Sequence, residues 1–127
     1  MPSKINNIAV IGTGVIGAGW IIRMLAHNKK VVAFDLNVNQ KKTLIKEIKR
    51  SLPFVKKLFK KKIINLKNLS FKTSLIETLK DAEFIQECAT ENYKLKTKLM
   101  TDIGRYSKSN AIISSSSSGL LPSIIFS

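Results

Sequence analysis

Apolar and polar positions along the chain alternate between two rhythms. Ile8 to Ile11 is an unbroken apolar run ending in glycine, the form of a strand buried on both faces of a parallel sheet. From Val15 the apolar residues Ile16, Ile21, Ile22 and Leu25 fall at helical spacings, and the pattern stops near Asn28. VVAFD, residues 31–35, is a second buried strand closed by an acid. Residues 38–63 are predicted helical, with Ile45, Ile48, Leu52, Val55 and Phe59 stepping by threes and fours along one face. Pro53 must kink that element or begin a second helix, because its ring removes an N–H and crowds the preceding turn. A short strand is expected near 69–72 and a short helix over SLIETLKD. EFIQECA, residues 83–89, predicts a strand, NYKLKTKLMTDIGRY a helix, and AIISS a further strand.

Strands alternating with helices at these lengths argue for right-handed βαβ units on a parallel sheet. The expected fold class is therefore α/β, a Rossmann-type doubly wound parallel sheet. With 127 residues, 44% hydrophobic and 24% charged, the chain has the length and apolar content of one domain with an ordinary core. No repeat or Pro/Gly linker divides it, so residues 1–127 read as one domain carrying a helical excursion at about 38–67.

A single cysteine, Cys88, excludes an internal disulfide and a zinc cluster, which suits a reducing, cytoplasmic setting and a chain without metal. On a buried strand it reads as core. The sole histidine, His27, reads as a helix C-terminal residue facing the negative end of the dipole. Residues 5–22 carry no charge, which raises a membrane span or export signal. Three glycines within 12–17, each costing about 1 kcal/mol in a helix, argue against both.

The segment IAVIGTGVIGAGW holds G-x-G-x-x-G as Gly12, Gly14 and Gly17. A strand precedes it, a helix follows it, and Asp35 closes the next strand eighteen residues beyond Gly17. In that context the glycines allow a tight turn, close backbone approach to a pyrophosphate, and close packing of helix on sheet. Thr13, Val15 and Ile16 join the glycines as candidate cofactor-binding residues, since the pyrophosphate would sit at the helix N-terminus, where free N–H groups and the dipole favour it. Asp35 would accept hydrogen bonds from the adenosine ribose hydroxyls and repel a 2′-phosphate, favouring NAD over NADP. A plain tight turn with Asp35 as a helix cap is the simpler alternative.

The chain resembles the NAD-binding domain of the L-3-hydroxyacyl-CoA dehydrogenase family. The resemblance runs from IAVIGTGVIGAGW through AFD and FIQECATENYKLKTKL to IISSSSSGLLPS, nearly the whole chain. Trp20 and the SSxSGLLPS form look most like the branch containing carnitine 3-dehydrogenase and the gulonate dehydrogenase related to lambda-crystallin. The resemblance implies that Glu91 and Lys96 line the nicotinamide half of the NAD site. It implies that Ser118 hydrogen-bonds the substrate oxygen beside the nicotinamide, in a serine turn at the carboxyl end of a buried strand. Ser117 stands where the family usually has threonine, and Ser116 where the acyl-CoA branch has asparagine. Without the resemblance, Glu91 and Lys96 read as a pair on a solvated helix start, and the serines as a flexible linker.

The activity implied is oxidation of a secondary 3-hydroxyl, in an acyl-CoA or a carnitine-like substrate, by hydride transfer to NAD. In this family the proton acceptor is a histidine paired with a glutamate, on a segment shortly beyond the serine loop. A helical C-terminal domain then closes the cleft and carries dimer contacts. The 127 residues contain neither, and His27 is misplaced for the role, so the expectation is an N-terminal portion that binds NAD without turnover.

Charge adds one further feature. The formal net charge is +14, and residues 41–67 hold ten lysines and one arginine against a single acid, Glu47. A solvated helical face explains this. The resemblance offers another reading, since in the acyl-CoA branch the corresponding helical excursion lies over the substrate. That implies lysines meeting CoA phosphates, with Lys56, Lys57 and Lys60 to Lys62 as candidates. A non-catalytic basic module binding NAD or nucleic acid stays open as the alternative, although no nucleic-acid-binding motif accompanies the stripe.

Overall fold

A computed structural model describes residues 5–59, 64–88 and 93–115. Chain order runs β1 (Asn7–Ile11), α1 (Val15–Ala26), β2 (Lys30–Phe34), α2 (Gln40–Phe59), a 3₁₀ turn (Leu66–Asn68), β3 (Leu69–Lys72), α3 (Leu75–Leu79), β4 (Phe84–Glu87), α4 (Tyr93–Tyr106) and β5 (Ile112–Ser115). The five strands form one sheet in the order β3-β2-β1-β4-β5, and every neighbouring pair is parallel. This is the Rossmann-type order expected from the alternation of strands and helices.

Helices cover both faces, which explains the unbroken apolar strands. Ile8 and Val10 of β1 with Val31 and Ala33 of β2 pack against Ala18, Ile21 and Leu25 of α1 and Leu44, Ile48 and Val55 of α2. Ala9 and Ile11, pointing the opposite way, pack with Phe34, Ile85, Leu79 of α3 and Met100 and Ile103 of α4. Alternate residues of one strand thus serve two cores, as the two-residue period of a strand requires.

Three expectations shift in detail. The buried stripe of α2 begins at Leu44, with Ile45 only half-buried, because 44, 48, 52 and 55 follow the helical repeat more closely than 45 does. Pro53 begins no second helix; α2 runs through it. Pro53 and Lys49, whose carbonyl loses its usual partner, are both exposed, so water can take the place of the missing N–H. Val15 and Ile16 do not join the core stripe of α1: they are 92% and 53% exposed at its first turn.

Helix α1 ends as its sequence suggested. His27 is the C-cap residue, and Asn28 follows with φ of 59°, the left-handed conformation that asparagine tolerates. Among the described residues no helix is long and apolar enough to cross a membrane. Phe59 closes α2 by its backbone, and Lys60 to Lys62 lie outside the described residues.

Candidate functional site

The glycine turn joins β1 to α1 at the carboxyl edge of the sheet. Gly12 has φ of 100°, a conformation that side-chain-bearing residues rarely adopt, and its N–H donates to the Phe34 carbonyl at 2.8 Å. A Cβ on Gly17 would stand 1.9 Å from the Gly12 carbonyl oxygen, so only glycine lets the helix come this close to the turn. A Cβ on Gly14 would meet nothing within 4 Å. Its absence serves no packing need and leaves the backbone open to whatever lies outside.

Gly14 caps α1 with no side-chain hydrogen bond, and no acid stands in the first turn. The leading N–H groups of a helix have no partner within it, and among the described residues the cap position supplies no side-chain acceptor. They and the positive end of the dipole face outward beside exposed Val15 and Ile16.

Asp35 follows β2 and meets the turn from the side. Its Oδ2 accepts the Thr13 hydroxyl at 2.8 Å and the Thr13 N–H at 3.4 Å, while Oδ1 accepts the Asn37 N–H at 3.0 Å. Thr13 is 3% exposed. The acid is therefore held against the turn, and it is not a simple helix cap. A cleft of about 690 Å³ opens here, lined by Gly12 to Gly14, Phe34, Asp35 and Leu36 on one side and Leu95, Lys98, Leu99 and Asp102 of α4 on the other. That volume lies in the range of small-molecule sites.

On the other side of β1, Glu87 ends β4, opposite Ile11 of β1 and Ser115 of β5. Its Oε2 accepts from Lys96 Nζ, and its Oε1 accepts the Ser115 hydroxyl at 2.7 Å. Glu87 and Lys96 are 0% and 1% exposed at the side chain. The solvated-face reading of Lys96 fails on that burial. Lys96 meets Glu87, and Lys96 does not line the cleft beside the turn. Glu91, Ser116, Ser117 and Ser118 lie outside the described residues.

Sequence reasoning missed Glu87. A signal was present: an acid inside the apolar strand EFIQECA is a charge that burial would make costly without a partner. Cys88, the next residue, is half-buried, packs at the edge of the α1-side core and also lines the cleft. His27 sits at the opposite end of α1 from the turn, about 18 Å away along a twelve-residue helix.

The turn, its uncapped helix and the adjoining acid fit a dinucleotide: N–H groups for phosphates, open space at Gly14, and a carboxylate placed for a sugar. The curated relatives include L-carnitine dehydrogenases of Oceanobacillus iheyensis, 43% identical over 92% of this chain, and Staphylococcus epidermidis, 39% identical over 91%. The chain spans 38% and 36% of their respective lengths. Similar solved structures include a diketoreductase, with TM-score 0.87 and 26% identity, covering 98% of this chain and 46% of that one. The (S)-3-hydroxybutyryl-CoA dehydrogenase of Ralstonia eutropha aligns with TM-score 0.84 and 26% identity, over 96% of this chain and 44% of its own. The sequence pattern of the 3-hydroxyacyl-CoA dehydrogenase NAD-binding domain matches residues 7–127. The chain belongs to that family of NAD-dependent dehydrogenases, and the matched region is an NAD-binding domain.

Proposed function

We propose that this chain is the NAD-binding part of an oxidoreductase that oxidises a secondary 3-hydroxyl group. One observation carries the reading most directly. A glycine whose Cβ would meet empty space stands at an uncapped helix N-terminus, beside a carboxylate hydrogen-bonded to the same turn.

Bound NAD would supply the hydride acceptor. The chain's own residues bind and orient. The N–H groups of Gly14, Val15 and Ile16 face the phosphates, with Gly17 keeping α1 close enough for its dipole to act. Asp35, held by Thr13, takes the adenosine ribose hydroxyls and disfavours a 2′-phosphate. Through the resemblance of ENYKLK and SSSSSGLLPS to the family, Lys96 and Glu91 would serve the nicotinamide half and Ser118 the substrate oxygen. The substrate is a small 3-hydroxy compound; carnitine is favoured over an acyl-CoA by the names of the relatives near 40% identity.

The only histidine, His27, stands at the far end of α1. The 127 residues are thus expected to bind NADH without oxidising carnitine or a 3-hydroxyacyl-CoA, since hydride removal from an alcohol needs a base at its proton. Calorimetry with NADH, NADPH and duplex DNA tests the reading. NADH should bind with little salt dependence and NADPH much more weakly. DNA binding that falls steeply with salt, with no NADH signal, would replace it with the nucleic-acid alternative.

A further inference from the structure

The buried group formed by Glu87, Lys96 and Ser115 is distinct from the turn and from Asp35. The strand order places β2, with Asp35 after it, on one side of β1, and β4 and β5 on the other. A dinucleotide held at Asp35 with its phosphates over Gly12 to Gly14 must extend its second half over the carboxyl ends of β4 and β5. Glu87 and Ser115 end those two strands. Lys96 reaches them from α4, and the pair is shut away from water.

We propose that Glu87 is a positioning residue that sets the chain's preference between NAD⁺ and NADH. The inference rests on the NAD reading above. The two cofactor forms differ by one positive charge on the nicotinamide ring. A lone ammonium buried beneath that ring would disfavour NAD⁺, because a buried charge acts over several ångströms with little screening. Glu87 places the opposite charge in contact with it, so the field above the pair is that of a dipole and falls off faster. Its second oxygen holds the Ser115 hydroxyl, fixing the serine at the point where β5 ends. Lys96 and Ser115 can therefore stay near the second half of the ligand without penalising its oxidised form.

The measurement is the affinity of the full chain for NAD⁺, NADH and ADP-ribose, the last lacking the nicotinamide. Glu87→Gln leaves the ammonium uncompensated and should shift the NAD⁺ to NADH affinity ratio toward NADH by roughly fivefold to tenfold. Lys96→Gln leaves the carboxylate and should shift the ratio toward NAD⁺ by a similar factor. The double variant should return it to within about twofold of the parent, and ADP-ribose affinity should stay nearly constant throughout. A group that merely supports packing would not move the ratio in opposite directions.

Should a single-charge variant fail to fold, Ser115→Ala carries the test. Removing the hydroxyl dipole from the carboxylate should shift the ratio toward NAD⁺ by about twofold. Parent chain that binds ADP-ribose and NADH, with a ratio unmoved by substitution or moved the same way by both single changes, overturns this inference alone. Parent chain that binds neither ligand removes the NAD reading and this inference together.

Discussion

The Thr13 hydroxyl donates a hydrogen bond of 2.8 Å to Oδ2 of Asp35, tying the glycine turn after β1 to the acid that follows β2. The two residues are 22 positions apart, and the parallel pairing of β1 with β2 brings them together. The bond fixes one carboxylate oxygen, so the acid stands ready beside the turn.

Thr13→Val keeps the shape and deletes the donor. Because Thr13 is buried and its acceptor is a carboxylate, unfolding stability should fall by about 1 kcal/mol in urea titration. NADH affinity should weaken about fivefold as Asp35 loses its anchor. Unchanged values for both would mean that the bond contributes nothing in solution.

Two glycines of the same turn should respond in opposite ways. Gly17→Ala forces a Cβ to 1.9 Å from a backbone oxygen, so the chain should lose about 3 kcal/mol or more of stability. Gly14→Ala meets no atom within 4 Å, and φ of −69° suits any residue. Its thermal midpoint should hold while NADH affinity drops about tenfold or more. Equal destabilisation by both changes would contradict the open space at Gly14.

Acid should weaken the fold partly through Glu83. Its carboxylate accepts the N–H groups of Asn7 at 3.0 Å and Asn6 at 3.1 Å, and these bonds hold its pKa below the ordinary glutamate value. A carboxyl with a lowered folded pKa adds stability that is present above its unfolded pKa and lost as pH falls through the folded one. Glu83→Gln should flatten the stability profile on the acid side of the ordinary carboxylate range. Chemical unfolding at a series of pH values reads this directly, and identical acid slopes for parent and variant would refute it.

Helix α2 carries a proline that its packing does not require. Pro53 is exposed, and it denies the Lys49 carbonyl its helical partner. Pro53→Ala should raise stability by about 1–3 kcal/mol, seen as a higher thermal midpoint. A lower midpoint would show that the ring stiffens a segment the alanine helix leaves loose.

The sequence by itself determined the order of strands and helices, the glycine turn and the acid after β2. Each rests on a short-range rule: apolar runs for strands buried on both faces, three-to-four spacing for helices, and glycine where the backbone must turn. Hence Ile8–Ile11 and the VVAFD strand were legible, and so were Gly12, Gly17 and Asp35. The tertiary structure alone decided which residues met across the sheet. Leu44 took the place of Ile45 because only packing on the sheet shows which stripe of the repeat, 44, 48, 52 and 55, lies against the core, and Val15 and Ile16 faced outward at the first turn of their helix. Glu87 shows the reason most plainly. Within EFIQECA it is one of two acids, and its role appears only when parallel register sets it opposite Ser115 and α4 brings Lys96 to its carboxylate. A buried charge is settled by its neighbours in space, and those neighbours lie 9 and 28 residues along the chain.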